Sequence, residues 1–240
     1  MNMETYAWQL DIPGFGESGQ AKLAGATALV SRVGGLGGPL AMSLAAAGFG
    51  KIILAHGGNL REDDLNRQTL MGREWIGKSR ANCAGETLRR FKPEIEIEAV
   101  PENITEDNAA ELVSKADIVF GCAPLFEERF LMNRECVRQN KPLIDSAMYA
   151  MEGRVIPIVP GETPCLSCLY PEVPAHWKRQ FPVIGAVSAL TAQIGALEGI
   201  KLIAGFGQVA KGQMISIDTA MMQMDKIRLA ARRSDCKICG

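Results

Sequence analysis

The sequence predicts an α/β fold built on a doubly wound, mostly parallel sheet with a C-terminal antiparallel extension. Three observations predict it. Apolar runs of strand length alternate with segments of helical period from about residue 26 to residue 146. A glycine cluster, Gly34-Gly35-Leu36-Gly37-Gly38, lies at the joint between the first such strand and the helix behind it. Beyond Ala147 the alternation stops, and two Cys-x-x-Cys pairs, Cys165/Cys168 and Cys236/Cys239, appear there.

The first strand is read over Ala26 to Val33, and a helix follows from about Pro39 to Ala47. Pro39 suits a first helical turn and Gly48 a stop. Lys51 to His56 gives the second strand, and a polar loop then leads to a helix ending near Phe91. A third strand fits Ile95 to Val100, with a helix over Asp107 to Lys115. Asp117 to Cys122 makes a fourth strand, a helix runs to about Asn140, and Pro142 to Ser146 makes a fifth. This order is Rossmann-like.

After the change of pattern, Arg154 to Val159 reads as a short strand. Pro157 confines it to a sheet edge or a bulge. Val183 to Gly205 is long and apolar enough to raise the question of a membrane span. Gln193, Glu198 and Lys201 lie inside it and make insertion costly, so a helix buried in the protein or in a dimer interface is the better reading. A last strand is placed near Met214 to Asp218, followed by a basic tail. The whole of 1–240 is taken as one domain, with a helical arm over 1–25 and an exposed crossover loop over 169–182 rich in proline.

Composition narrows the function. The chain is 47% hydrophobic and 22% charged, an ordinary globular balance. Its 26 basic and 27 acidic residues leave a net charge of −1, without the cationic excess on which general nucleic-acid binding depends. No secretory leader is read at Met1, so the expected location is cytoplasmic, with no membrane and no nucleic acid among the partners.

Seven cysteines cannot all pair. Paired thiols at Cys-x-x-Cys spacing in a cytoplasmic chain hold metal more often than they form disulfides. Cys165, Cys168, Cys236 and Cys239 are therefore the expected ligands of a closed, structural zinc site, provided the fold brings the pairs together. Such binding supplies on the order of 10 kcal/mol of folding free energy. It would tie the C-terminal tail to the body.

Glycines at a strand–helix joint let backbone approach a phosphate at a helix N-terminus, although they also serve simple packing. A dinucleotide site would carry an acid at the end of the second strand to hold ribose hydroxyls. Here that strand ends in His56-Gly57-Gly58, so an NAD(P) oxidoreductase is disfavoured. The next segment, Asp63-Asp64-Leu65-Asn66-Arg67-Gln68 and then Gly77-Lys78-Ser79-Arg80, places acids, arginines and a lysine beside the glycine loop.

That run, with the glycine loop, Pro164-Cys165-Leu166-Ser167-Cys168 and the terminal Cys236-x-x-Cys239-Gly240, resembles the ThiF/MoeB/HesA family, the bacterial relatives of ubiquitin-activating enzymes. The likeness covers about Tyr6 to Gly240. His56-Gly57-Gly58, Leu65 to Met71 and Pro182 to Ser188 look most like the HesA type, which is associated with nitrogen fixation and molybdenum-cofactor supply. The resemblance implies a homodimer and a small ubiquitin-fold sulfur-carrier partner. It also implies adenylylation of the carrier's C-terminal Gly-Gly by ATP with Mg²⁺, in molybdopterin-, thiamine- or nitrogenase-type cofactor synthesis. It places Arg67 and Arg80 on the phosphates as catalytic residues, with Lys78 sharing that work. Gly34, Gly35, Gly37, His56, Asp63, Asp64, Asn66 and Gln68 complete the nucleotide shell.

Several positions depart from the family pattern. Arg32 stands at the first glycine of the loop, His56 at the ribose aspartate, and Pro124-Leu125 where a metal-binding Asp-Asn is usual. Trp8-Gln9 replaces an Arg-Gln pair, and Arg80 stands for a lysine. Two readings follow. Either the nucleotide is held differently, with Asp63, Asp64 or Glu127 serving a metal, or the chain is a scaffold that docks a partner without adenylylation.

Other single residues carry less. His56 as a strand-ending histidine reads first as a satisfied structural group, and His176 as a solvated loop residue. Cys122 ends the fourth strand and reads as apolar filler. No cysteine lies between Leu169 and Val183 to accept a carrier as a thioester. Met221, Met222 and Met224 are expected in the core or a dimer surface, and Arg232-Arg233 on a solvated face.

Overall fold

The computed structural model describes residues 2–174 and 181–240. In chain order the elements are α1 (Ala7–Leu10), α2 (Gly16–Gly25), β1 (Thr27–Ser31), α3 (Gly37–Ala47), β2 (Lys51–Ala55), α4 (Arg80–Phe91), β3 (Glu96–Val100) and α5 (Ala109–Ser114). Then come β4 (Ile118–Gly121), α6 (Phe126–Arg138), β5 (Leu143–Tyr149), β6 (Glu152–Ile158), α7 (Leu166–Leu169), α8 (Gly185–Ala204), β7 (Gln213–Asp218) and β8 (Gln223–Arg228). The strands form one sheet in the order β3-β2-β1-β4-β5-β6-β7-β8. Pairing is parallel from β3 through β5 and antiparallel from β5 to β8. The doubly wound sheet with its antiparallel extension is thus present as read.

Strand alternation explains why these runs are apolar throughout. On β1, Ala28 and Val30 enter one core layer while Leu29 enters the other, and on β2 Ile52 and Leu54 divide in the same way from Ile53 and Ala55. The first layer is closed by α3 and α8 through Leu40, Leu44, Ala192 and Ala196. The second is closed by α5 and α6 through Leu112, Val113, Leu131 and Met132. Leu229 and Ile238 of the C-terminal tail also pack on that second layer.

The apolar stretch expected over Val183 to Gly205 is α8, long and apolar enough to cross a membrane by length and composition. In this fold it lies on the sheet against α2, α3, β5 and β6. Its polar groups are satisfied inside the protein. Gln193 accepts from Ser43 Oγ at 2.6 Å and donates to the Pro39 carbonyl, while Glu198 accepts from Lys201 and from the Ala210 amide. Gly195 and Gly199 let the helix approach closely, since a Cβ at either would run into Ser146 Oγ or the Phe120 ring.

Three expectations need correction. Strand β6 is interior, not an edge. Pro157 is tolerated because the β6–β7 pairing ends at Val155↔Ile215, so around the proline only β5 is paired. The basic tail contains a further strand, β8, which pairs with β7 from Gln213↔Arg228 to Asp218↔Gln223. Gln223-Met-Asp-Lys-Ile-Arg228 carries little apolar alternation because every residue of this edge strand is exposed. Of the two places expected for Met221, Met222 and Met224, the core is excluded, Met222 being 82% exposed at the hairpin turn with φ +53°, and this exposure leaves the dimer-surface alternative standing. The expected loop over 169–182 falls partly outside the described residues, as do His176, Trp177, Lys178 and Arg179.

Candidate active site and candidate metal centre

Sheet order reverses between β1 and β4, and a cleft of about 830 Å³ opens there at the strand ends. Its floor is the turn after β1. Arg32 closes that strand in a left-handed conformation, φ +61°, a backbone state that glycine adopts without strain. The Arg32 carbonyl accepts from the Gly34 amide at 2.6 Å, and a Cβ on Gly37 would lie 2.6 Å from that same oxygen. Gly37 therefore serves the tight entry into α3, while Gly34 and Gly35 line the cleft. The Arg67 side chain crosses Gly35 so closely that an added Cβ would meet its Cγ at 3.1 Å.

The polar loop after β2 is organised by one carboxylate. Asp64 is buried, and its Oδ1 accepts from Gln68 Nε2 at 2.7 Å and from Arg67 Nη2 at 3.2 Å. Its Oδ2 accepts from Arg80 Nε and Nη2 at 3.1 and 2.5 Å and from the Arg61 amide at 3.0 Å. The two arginines read as phosphate ligands are thus fixed side by side on a shared acid. Asp63, its neighbour, is exposed and forms a forked pair with Arg61. Gly185, at the start of α8, abuts the Asn66 carbonyl and the Arg67 backbone, so the loop rests on that helix.

His56 ends β2 inside the cleft, 7% exposed. Burial, then the charges of Arg32 and Arg80, pull its imidazole down to about 3, so it is neutral at physiological pH. Its Nδ1 is buried without a hydrogen-bond partner, contrary to the expectation of a satisfied structural histidine. Gln68 Oε1 is likewise buried and unpartnered. An imidazole nitrogen and an amide oxygen without partners in a polar cleft are what a ligand bearing hydroxyl or amino groups would satisfy.

On the other wall, Cys122 follows β4 and its amide donates to Ser31 Oγ at 3.0 Å. Burial and the nearby Asp145 push its thiol well above the ordinary range, which leaves it an unreactive wall group. Beneath it, Arg129 and Asp145 form a forked pair at 2.9 and 2.5 Å with both side chains 1% exposed, and the guanidinium lies over the Phe126 ring.

Of the candidate residues, Gly34, Gly35, His56, Asp63, Asp64, Arg67, Gln68 and Arg80 line this one cleft. Gly37 lies behind it, Asn66 is exposed and accepts from Arg67, and Lys78 is exposed and outside the cleft lining, its carbonyl accepting from the Leu60 amide. Sequence reasoning missed Arg61, Asn103, Met148 and Ser188 as lining residues. Arg61 adjoins the polar loop and was within reach of that reading, whereas Asn103 enters only through its hydrogen bond from the Gly57 amide.

The cysteine pairs do meet. Sγ separations are 4.0 Å for Cys165–Cys168, 3.7 Å for Cys165–Cys236 and 3.4 Å for Cys168–Cys239, with all four sulfurs within 4.8 Å of one another. Tetrahedral zinc with bonds of about 2.3 Å spaces its sulfurs by about 3.8 Å, so the cluster fits a metal such as zinc. Asn133 of α6 braces the first knuckle by accepting from the Leu166 amide at 2.8 Å. Among the described residues this is the one group of metal-ligating side chains with such spacing.

Comparison with known proteins agrees with this geometry. The model of the ThiF family matches residues 6–238. The heterocyst protein HesA of Trichormus variabilis is 48% identical over 238 residues, spanning 99% of this chain and 89% of that protein. The adenylyltransferase and sulfurtransferase MOCS3 of Mus musculus is 36% identical over 239 residues, 98% of this chain and 52% of its own length. Among solved structures, E. coli MccB with ATP superposes with a TM-score of 0.81 at 24% identity, covering 93% of this chain and 68% of that one, a likeness of fold.

Proposed function

The chain belongs to the ThiF family, and from that premise we propose that it activates the C-terminal Gly-Gly carboxylate of a small ubiquitin-fold sulfur carrier by adenylylation with ATP. The observation that carries this reading is the pairing of Arg67 and Arg80 on buried Asp64, with Arg67 lying against Gly35 just before α3. Such a cleft offers a phosphate chain both backbone amides near a helix N-terminus and fixed guanidinium groups. In the reaction a carboxylate oxygen of the carrier bonds to the α-phosphorus. The bond from that phosphorus to the α–β bridging oxygen breaks, and the electron pair leaves with pyrophosphate. Arg67 and Arg80 stabilise the charge that builds on the phosphate oxygens, and Asp64 holds them where little reorganisation is needed. His56, at the end of β2, offers its neutral Nδ1 to a ribose hydroxyl.

Zinc held by Cys165, Cys168, Cys236 and Cys239 clamps the tail to the second core layer and takes no part in the chemistry. The working form is a cytoplasmic homodimer. Apolar side chains left open on α8, Leu190 and Leu197, favour association of two copies. The cofactor pathway served is of the molybdopterin, thiamine or nitrogenase type.

The test is ATP–pyrophosphate exchange with a Gly-Gly-ending carrier on zinc-loaded protein. Exchange that depends on the carrier and falls by at least 100-fold in Arg67→Ala supports the reading. Absence of exchange with every such carrier overturns it. One observation favours a second reading, a docking scaffold: Pro124 lines the cleft where the resemblance places a metal carboxylate. A scaffold would bind its carrier equally well with and without ATP.

A further inference from the structure

The resemblance calls for a protein-held Mg²⁺ beside the phosphates, and the described residues do not supply one. Among the described residues two acids line the cleft. Asp64 has both oxygens committed to Arg61, Arg67, Gln68 and Arg80, and Asp63 is committed to Arg61. Glu127 is exposed and does not line the cleft. Glu128 is buried behind the wall, where Oε2 accepts both Nε and Nη2 of Arg32, at 2.7 and 2.6 Å; its Oε1 has no partner, but the residue does not line the cleft. Mg²⁺ needs at least one free carboxylate beside its waters and phosphates. Here each nearby acid is already neutralised by a guanidinium.

A cation does occupy that wall. Arg32 directly follows β1, with Val33 between it and Gly34-Gly35, and its side chain lines the cleft at 13% exposure. Its guanidinium is fixed by Glu128 through Nε and Nη2, while Nη1 has no hydrogen-bond partner among the described residues. The left-handed backbone at Arg32 is a strained state for an arginine, and here the strain sets a cationic side chain into the wall of the phosphate turn. We propose that Arg32, anchored by Glu128, is the positive group facing the nucleotide phosphates from the β1 side. On this view the chain binds ATP without a protein-held divalent metal. The proposal rests on the adenylylation reading above. It adds that charge on this wall is neutralised by a fixed guanidinium, which donates directional hydrogen bonds and needs no ion to be recruited.

Equilibrium dialysis of labelled ATP tests it, using zinc-loaded protein in buffer scrubbed of divalent cations and in buffer with added Mg²⁺. A chelator is avoided because it would strip the cysteine cluster. Dissociation constants within about threefold of each other in the two buffers are expected. The double variant Arg32→Gly/Glu128→Gln removes the cation and its counter-charge together and places glycine at the left-handed position. It should melt cooperatively near the wild-type temperature and bind magnesium-free ATP at least about tenfold more weakly. Wild-type binding that is about tenfold or more tighter with Mg²⁺ overturns this inference and leaves the adenylylation reading standing. Unchanged magnesium-free binding in the double variant also overturns it. Should that variant fail to fold, Arg32→Lys, which keeps the charge and loses the fork, replaces it and should weaken magnesium-free binding by about threefold or more; no weakening overturns the proposal. Failure of the wild type to bind ATP in either buffer overturns both.

Discussion

Asp63 and Asp64 are adjacent acids in one polar loop, and nothing in their sequence separates them. The fold does: one is an exposed surface partner of Arg61, the other a buried acceptor of five donors. Asp64→Asn removes the counter-charge of two arginines that are themselves partly solvated. The expected cost is therefore about 2 kcal/mol in urea unfolding, below that of breaking a fully buried pair. ATP binding should be weakened as well, because Arg67 and Arg80 lose their common anchor. His56 was legible as a candidate but not as a neutral one, since neutrality comes from burial between Arg32 and Arg80. Its folded value of about 3 lies below the ordinary 6.5, so unfolding takes up a proton between those limits. Stability from this group is complete above about pH 6.5 and is lost as pH falls towards 3. His56→Asn should flatten that acid decline, as read from denaturation midpoints between about pH 7 and about pH 4.5. An equal decline in the variant would place the sensitivity elsewhere.

At the scale of elements, the parallel core was readable because β1, β2 and β4 are buried on both faces and each crossover between parallel strands is a helix. Edge strand β8 was not, because its pairing with β7 requires no apolar residue. Pro157 misled for a related reason: the sequence shows the missing N–H but not where the β7 ladder ends. The place of α8 depends on its glycines more than on its hydrophobicity. Gly199→Leu would force a side chain into the Phe120 ring and should cost about 2–3 kcal/mol in chemical denaturation. The cysteine cluster joins α7 to the tail, beside the packing of Leu229 and Ile238 on the second core layer. Cys239→Ser should abolish stoichiometric zinc binding and expose the segment after β8 to limited proteolysis, while the sheet stays folded. Retention of one tightly bound zinc in that variant would show that the cluster is not the metal site.

For the molecule as a whole, the cleft lies where the chain's topology reverses, and the sequence identified eight of the residues that line it. What it could not give is how their charges cancel, because Arg32–Glu128 and Arg80–Asp64 join residues far apart in the chain, and only the burial of Asp64 turns its local pair with Arg67 into a shared anchor. Assembly is a second property at this scale. Leu197, 52% exposed on α8, is continuous with an apolar helix face, and a light-scattering mass of twice the 25.9 kDa chain is expected. Leu197→Glu should return the single-chain mass without lowering the melting temperature of the fold itself. The central claim is that this cleft holds ATP between the glycine turn and the Asp64-bound arginines. Calorimetric titration of ATP into zinc-loaded protein tests it most directly. Micromolar binding at one site per chain, lost in Arg67→Ala, is the result expected. No heat of binding at millimolar ATP, or equal binding by the Arg67→Ala protein, would contradict it.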